Sequence, residues 1–312
     1  MAGFIRTVLG DISPDQLGVT YMHEHLIIDS PIVAKDFAHI YLPNETDAIN
    51  EVNKCKKVGV GAMLDCMPLG SGRDAKKLLQ ISEATGVNII AATGLHHDRY
   101  YRSDDQLENS SAETLAKFFL RDINEGMDDT DAKAGVIKVI TSGPKIKDRE
   151  IRLFEAAAIA QAKSGAPILS HCEHGAGAIE QLELFNKLNI PLSRVILSHT
   201  DKEADFGYHH EILSSGVSVE YDQSLRQANE EKPASAQLTA AMVGAGFVNQ
   251  IMMGTDGARR TLWSILGGNP GLSWLYSGWS TKLIESGLKD DDINRIFITN
   301  PARALKFNSP VL

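Results

Sequence analysis

The chain has little cysteine and no long apolar run. Its 312 residues include only three cysteines, Cys55, Cys66 and Cys172, which are widely spaced and form no CxxC pair. This pattern argues against a disulfide framework and against a zinc site built from thiolates. No apolar stretch approaches the roughly 18 residues of a membrane-spanning helix, and the N-terminus lacks the features of an export signal. We therefore expect a soluble, cytoplasmic protein that has no membrane partner.

Positive charge is also scarce. The 31 Lys and Arg residues are outnumbered by 40 Asp and Glu residues, which gives a formal net charge of −9. This balance argues against nucleic acid or an anionic membrane surface as the main partner. Hydrophobic residues make up 43% of the chain and charged residues 23%. These fractions are ordinary for a globular protein and exclude disorder as the main state.

Several signatures of common enzyme classes are missing. The chain contains no HExxH, no GxSxG and no Walker glycine-lysine loop, which argues against a zincin protease, a serine hydrolase and a phosphate-loop NTPase. The first predicted strand also lacks the glycine-rich turn that follows the first strand of a dinucleotide-binding sheet. That strand ends instead in His23-Glu24-His25.

Short apolar segments alternate with longer amphipathic ones along the whole chain, a pattern typical of βα units. Strands are predicted at residues 19–23, 62–66, 88–93, 135–139, 167–171, 194–199, 217–221 and 251–255. Helices are predicted at residues 45–58, 75–85, 112–124, 149–163, 176–188, 203–214, 234–243 and 281–286, with further helical segments near 291–297 and 301–307. Eight units without a Pro/Gly-rich linker predict a single α/β domain over residues 1–312, folded as a (β/α)8 TIM barrel.

The predicted strands carry residues that could bind metal at or near their ends. Catalytic residues of such barrels lie at the C-terminal ends of the strands. The candidates are His23, His25, Lys138, His171, His199 and Asp256. His23 and His25 are two positions apart and should share one face of their strand, while Asp256 closes the last strand beside the first. Four imidazoles and one carboxylate suit zinc or another divalent first-row metal.

Lys138 interrupts the apolar run 135–140, which a parallel barrel would bury on both faces. A buried ammonium is costly unless it is paired or deprotonated. Lys138 could reach the barrel mouth or pair with an acid. Beside a metal site, a neutral lysine could instead react with carbon dioxide to give a carbamate, and that anion would bridge two cations. Both interpretations remain open at this point.

These residues resemble the phosphotriesterase family of the amidohydrolase superfamily, which includes the phosphotriesterase-like lactonases. The similarity covers nearly the whole chain, from IRTVLG at 5–10 through GVTYMHEHL at 18–26 to NPAR at 300–303. The order of an HxH pair, a lysine on the fourth strand, two single histidines and a final aspartate is highly specific. The resemblance also implies a homodimer.

The resemblance implies a centre with two divalent ions, zinc being the expected metal and manganese or cobalt the alternatives. The more buried ion would be bound by His23, His25 and Asp256, and the more exposed ion by His171 and His199. A carboxylated Lys138 and a hydroxide would bridge both ions.

The reaction implied by the resemblance is metal-assisted hydrolysis, in which the ions acidify water and polarise a carbonyl or phosphoryl oxygen. Asp256 would either transfer the proton to the leaving group or act as a ligand only. A lactonase is the leading hypothesis, and a phosphotriesterase or an amidase would use the same site. A catalytically silent ligand-binding barrel is disfavoured because all the metal-binding side chains are present.

Arginines in the last two barrel loops point to an anionic substrate. Arg259 and Arg260 closely follow Asp256, and Arg226 lies in the seventh loop, where barrels of this type commonly bind phosphate. Guanidinium groups suit an oxyanion, although salt bridges to nearby acids are an equal alternative. An aspartate followed by paired arginines resembles family members that hydrolyse phosphorylated sugar lactones. Tyr100 could hydrogen-bond the substrate or simply pack.

The remaining histidines receive smaller roles. Those predicted near the mouth, as supporting or substrate-facing residues, are His96, His97 and His174. Those predicted at the surface are His39, His209 and His210.

Overall fold

The computed structural model describes residues 3–308 and contains two sheets. A short antiparallel hairpin, which was not predicted, pairs β1 (Ile5–Thr7) with β2 (Gly10–Ile12). The other eight strands are parallel and lie side by side in chain order. They are β3 (Val19–Glu24), β4 (Val60–Asp65), β5 (Asn88–Gly94), β6 (Val136–Thr141), β7 (Ile168–Cys172), β8 (Val195–Ser198), β9 (Ser218–Tyr221) and β10 (Ile251–Met253). The predicted (β/α)8 barrel and its eight strands are confirmed, with strand ends shifted by at most two residues.

Helices follow the strands at the predicted amphipathic segments, and two short ones, at residues 31–36 and 106–109, were not predicted. They are α1 (Pro31–Asp36), α2 (Glu45–Lys57), α3 (Ala75–Thr85), α4 (Gln106–Asn109), α5 (Ala112–Asn124), α6 (Asp148–Ser164), α7 (Ala178–Lys187), α8 (Phe206–Ser214), α9 (Ala234–Gly244), α10 (Ser280–Glu285), α11 (Asp290–Asn294) and α12 (Asn300–Ala304). Two π-helical segments, Leu275–Trp279 and Arg295–Thr299, continue into α10 and α12. None of the described helices is both long and apolar enough to cross a membrane.

Local chemistry sets several helix ends. The side chain of Asn44 accepts hydrogen bonds from the backbone N–H groups of Thr46 and Asp47 at the start of α2, and Asp74 caps α3 in the same way. Such caps satisfy N–H groups that have no partner within the helix. The helix predicted from residue 203 begins only at Phe206, because Asp205 caps it by accepting from Tyr208 N.

The barrel closes between β10 and β3. The N–H groups of Thr255 and Asp256 donate to the carbonyl oxygen of His23 at 3.1 and 2.9 Å. The Glu24 carboxylate accepts from Thr255 N at 3.1 Å and from the Thr255 hydroxyl. A Cβ atom at Gly254 would lie 2.6 Å from His23 Cβ, so only glycine permits this approach. The closure places the first and last strand ends, and therefore His23 and Asp256, side by side.

Two apolar clusters form the core, one inside the barrel and one between the strands and the surrounding helices. The interior cluster takes inward-facing side chains from β3 to β8 and β10, and they are Met22, Ala62, Leu64, Ile90, Ala92, Val136, Leu169, Ile196 and Met252. Ile5 of the hairpin, Leu17 and Leu305 belong to the same cluster. Because Leu17 precedes β3, these three side chains cover the N-terminal end of the barrel. The second cluster packs the outer strand faces against the helices.

The three cysteines are buried and unpaired. Their burial and separation agree with the expectation that they form no disulfide framework.

Candidate active site and metal centre

The predicted ligands meet at the C-terminal end of the barrel. The His23 ring lies 5.3 Å from the His25 ring and 4.6 Å from the His199 ring, measured between centroids. The His171 and His199 rings are 4.2 Å apart. His25 Nε2 lies 3.5 Å from Asp256 Oδ1. Residues separated by more than 200 positions in the chain thus form one cluster.

Strand alternation directs two of these side chains inward. Lys138 follows the interior residue Val136 by two positions on β6, and His171 follows Leu169 by two positions on β7. Because side chains on a strand alternate between its faces, both point into the barrel. Lys138 is completely buried.

His199 reaches the interior by a different route. It follows the interior residue Ile196 by three positions, so regular alternation would point it away from the site. Its backbone has a φ of 68°, in the left-handed region, where the chain leaves β8. Non-glycine residues rarely adopt this conformation, and the associated strain is common at active sites. Here it turns the imidazole towards His23.

His23 depends on an irregularity in β3. Met22, the residue directly before it, faces the interior cluster. The pairing register of β3 and β4 shifts between Tyr21 and Glu24. This shift interrupts the alternation, and it allows His23 to lie in the cluster with His199.

Several buried nitrogen atoms of the cluster have no hydrogen-bond partner among residues 3–308. They include His23 Nε2, His25 Nδ1, His171 Nδ1 and Lys138 Nζ. An unsatisfied buried polar group costs roughly 1 to 3 kcal/mol, so native proteins rarely keep several together. A shared metal centre gives such atoms partners. The donor set therefore fits metal ions.

The pKa values of the imidazoles also favour metal binding. Burial lowers the pKa of His23 well below its usual value. Burial and the neighbouring His199 do the same to the pKa of His171. Neutral imidazole is the form that binds a metal ion.

Three groups of ligand atoms are close enough to share an ion, and one of them is formed by His97, His171 and Glu173. Atoms of His23, His25 and Asp256 lie within 4.8 Å of one another. Atoms of His23, His199, Glu220 and Asp222 also lie within 4.8 Å of one another. The structure thus contains residue groups able to hold metal where the sequence predicted them.

Carboxylates support three of the histidines from behind. His23 Nδ1 lies 2.7 Å from Glu220 Oε1, and His199 Nδ1 lies 2.6 Å from Asp222 Oδ2. His171 Nε2 lies 2.6 Å from Glu173 Oε2. Outer carboxylates of this kind orient metal-binding imidazoles. Sequence reasoning missed them, although acidic residues at alternate positions of the apolar segment 217–222 were a usable signal.

Arg226, predicted to bind substrate, contacts Asp256. Its Nη2 donates to Asp256 Oδ2 at 2.8 Å and to the Asp256 carbonyl oxygen at 2.9 Å, while Nη1 donates to the Thr255 carbonyl oxygen at 3.0 Å. Burial would raise the pKa of Asp256, but the Arg226 guanidinium and further neighbours hold it well below the usual value. Arg226 also lines the cavity described next.

A cavity of about 390 Å³ opens above the cluster. Its walls include His25, His171, His199 and Asp256, together with the cations Arg99, Lys202 and Arg259. Lys202 and Arg259 are exposed. Neither forms a salt bridge with another described residue, whereas Arg99 Nη2 lies 3.4 Å from Glu173 Oε1. Lys202 was not among the predicted substrate residues.

The two consecutive arginines occupy different places. Arg259 faces the cavity, whereas Arg260 Nη1 donates to the Tyr41 carbonyl oxygen at 3.0 Å and lines a separate depression. Tyr100 lines the cavity and is almost completely buried, with its ring edge against His96 at 4.8 Å.

The other histidines divide into cavity and packing residues. His39, His96 and His174 line the cavity. His97 lies behind the wall, with Nε2 at 3.1 Å from Glu173 Oε2. The prediction that His209 is a surface residue is wrong: it is completely buried and its Nδ1 lies 2.8 Å from the Tyr221 hydroxyl. It lies on the inner face of α8, which its position in an amphipathic segment did not reveal.

Comparison with known proteins agrees with this geometry. The sequence model of the Phosphotriesterase family matches residues 3–305. A phospho-furanose lactonase from Mycoplasmopsis synoviae is 27% identical over 98% of this chain and 92% of that protein. An N-acetyltaurine hydrolase from Salmo salar is 27% identical over 98% of this chain and 99% of that protein. A lactonase structure from Listeria monocytogenes matches with a TM-score of 0.93 at 28% identity, covering 98% of this chain and 100% of that chain.

Proposed function

Because this chain belongs to the phosphotriesterase family of hydrolases, we propose that it opens a lactone, with a phosphorylated sugar lactone as its preferred substrate. One observation carries the proposal. The buried imidazole cluster borders the same cavity as Lys202 and Arg259, two cations that form no salt bridge within residues 3–308. The first feature suits hydrolysis, and the second suits a substrate that carries an anion.

The family resemblance suggests which residues would hold the metals, and the unpartnered atoms of His23, His25 and His171 among the described residues support it. His23, His25 and Asp256 would bind one divalent ion, and His171 and His199 a second. Lys138, as a carbamate, would be shared by both. Its Nζ is buried and has no hydrogen-bond partner among the described residues, which supports this role. Zinc, manganese or cobalt, when bound, lowers the pKa of water towards neutrality and polarises the substrate carbonyl.

We assign the proton transfer to Asp256. Arg226 holds its Oδ2, which leaves Oδ1 facing His25 and the cavity. During ring opening a bond forms between water oxygen and the lactone carbonyl carbon, and the bond from that carbon to the ring oxygen breaks. Asp256 Oδ1 takes the proton of the attacking water and returns it to the departing ring oxygen.

The cations of the mouth position the substrate. Arg259 and Lys202 would bind a phosphate several ångströms from the reacting carbonyl, since both are exposed in the cavity wall. Charge-assisted hydrogen bonds to phosphate are among the stronger polar contacts in proteins. Tyr100 and Ile40 form part of the less polar wall, against which the sugar ring would lie.

A substrate screen on metal-reconstituted protein tests the proposal. We expect a phosphorylated sugar lactone to be hydrolysed at least about tenfold more efficiently than the same lactone without phosphate, because one charge-assisted contact contributes roughly 1.5 to 3 kcal/mol. Better hydrolysis of the neutral lactone would contradict the phosphate assignment.

An amide is the second candidate substrate, because the similarity to an N-acetyltaurine hydrolase equals that to the lactonase. Amides and phosphotriesters therefore belong in the same screen. Preferred turnover of either class would replace the lactone assignment while leaving a metal-dependent hydrolase.

A further inference from the structure

Glu173 differs from the other carboxylates that support the histidines. Glu220 and Asp222 come from β9 and the position just after it, and both are completely buried. Glu173 lies in the turn that follows β7, only two residues after His171, and its side chain is 15% exposed at the cavity wall. Its Oε2 contacts two imidazoles, His171 Nε2 at 2.6 Å and His97 Nε2 at 3.1 Å.

These contacts determine which nitrogen of His171 faces the metal site. An ionised carboxylate can only accept hydrogen bonds, so His171 Nε2 carries the hydrogen and donates it to Glu173. The other nitrogen, Nδ1, then carries the lone pair. Nδ1 is buried and has no hydrogen-bond partner among the described residues, and the His171 ring packs 4.2 Å from that of His199. Glu173 therefore leaves Nδ1 as the ligand atom.

Glu173 is itself held by other loops. Arg99, from the turn after β5, places Nη2 3.4 Å from Glu173 Oε1. The imidazole of His97 is supported on its far side by the Ser142 hydroxyl, at 3.4 Å from Nδ1. Ser142 Oγ in turn lies 2.6 Å from Glu150 Oε1. A chain of polar contacts thus joins the loops after β5, β6 and β7 to one metal ligand.

We propose that Glu173 is a positioning residue that fixes His171 with Nδ1 directed at the metal site. This inference rests on the proposed metal centre. Without the carboxylate, the His171 ring can rotate or exchange its hydrogen between the two nitrogens, so the ion bound by His171 and His199 is held less tightly. The ion bound by His23, His25 and Asp256 is unaffected, since none of these residues contacts Glu173.

Metal retention tests the proposal. Glu173→Ala, Glu173→Gln and the control Glu231→Gln, which changes an exposed acid, are dialysed as zinc-loaded proteins against graded chelator. We expect one ion of Glu173→Ala to bind about 10 to 100 times more weakly than in the wild type. Glu173→Gln should lie in between, because its amide oxygen still accepts from Nε2. Wild-type retention of both ions by Glu173→Ala would overturn the proposal.

A second measurement does not need bound metal or substrate. Nitrogen-15 NMR of the full-length protein after metal removal reports the hydrogen position on each imidazole, and the His171 signals are identified by their loss in His171→Asn. We expect the Nε2–H form in the wild type and in Glu231→Gln, and a mixture of forms in Glu173→Ala. An unchanged His171 form in a folded Glu173→Ala protein would overturn the role of Glu173 even if the hydrolase proposal holds. If Glu173→Ala does not fold, Glu173→Gln carries the metal test.

Discussion

The two ends of the barrel interior contrast strongly. Near the N-terminal end the inward positions are apolar and filled, as at Val136 and Leu169. Two positions further along the same strands, Lys138 and His171 carry buried nitrogens that have no partner among residues 3–308. The first arrangement stabilises the fold, whereas the second costs stability at each unpaired atom. Polar residues at inward-facing positions, which are otherwise apolar, therefore mark the end of the barrel where stability is lost and a functional site is expected.

The largest expected effect comes from removing the divalent ions that we propose at the C-terminal end of the barrel. We expect the reconstituted protein to hold about two divalent ions per chain, and chelation to lower hydrolysis at least about ten-thousandfold. The fold should persist, because the apolar interior cluster is untouched. Elemental analysis, activity and circular dichroism before and after chelation check this. One ion or none after reconstitution would contradict a binuclear centre.

Lys138→Ala should have the next largest effect. Loss of the proposed bridging anion should reduce the rate about a thousandfold, or about 4 kcal/mol. Short carboxylic acids should partly restore it, because they can enter the space left by the side chain. Rates with and without added acetate or propionate are the measurement. Full activity in Lys138→Ala would show that the side chain is not a bridge.

Leu169→Ala tests the opposite end of the interior. We expect the free energy of unfolding to fall by about 2 to 5 kcal/mol, since the substitution leaves a cavity among buried side chains. Activity per folded molecule should remain within about twofold, because Leu169 lies one inward position below His171. Denaturant unfolding and kinetics under native conditions separate the two. A large loss of activity at unchanged stability would remove the contrast between the two ends.

The smallest expected effect is at the mouth. Arg259→Ala should lower the catalytic efficiency towards a phosphorylated lactone about tenfold to a hundredfold and leave a neutral lactone almost unchanged. Arg260→Ala is the matched control, since its guanidinium binds the Tyr41 carbonyl outside the cavity. The measurement is the ratio of the catalytic efficiencies towards the phosphorylated and the neutral lactone. If neither variant changes that ratio, the phosphate assignment fails, whereas the hydrolase assignment stands.

Much of the fold and of the proposed ligand set could be predicted from local pattern. The repeated alternation of apolar and amphipathic segments predicts the eight strands because both periods depend only on neighbouring residues. The same alternation places Lys138 and His171 inward. It fails at His199, where a left-handed backbone conformation turns the side chain. It also gave no sign of the β1–β2 hairpin, whose strands are only three residues long.

The sequence by itself therefore determined the barrel and which side chains its strand ends carry. Only the tertiary structure decided what those side chains contact. His23 meets Glu220 across 197 positions of the chain, and Thr255 meets Glu24 across 231. Arg226 lines the cavity and also donates a hydrogen bond to Asp256. Arg260 donates to the Tyr41 carbonyl oxygen, outside the cavity that its neighbour Arg259 lines. The physical reason is that strand periodicity is a property of adjacent residues, whereas a hydrogen bond requires two atoms within about 3 Å, and only the folded barrel with its loops brings such distant residues together.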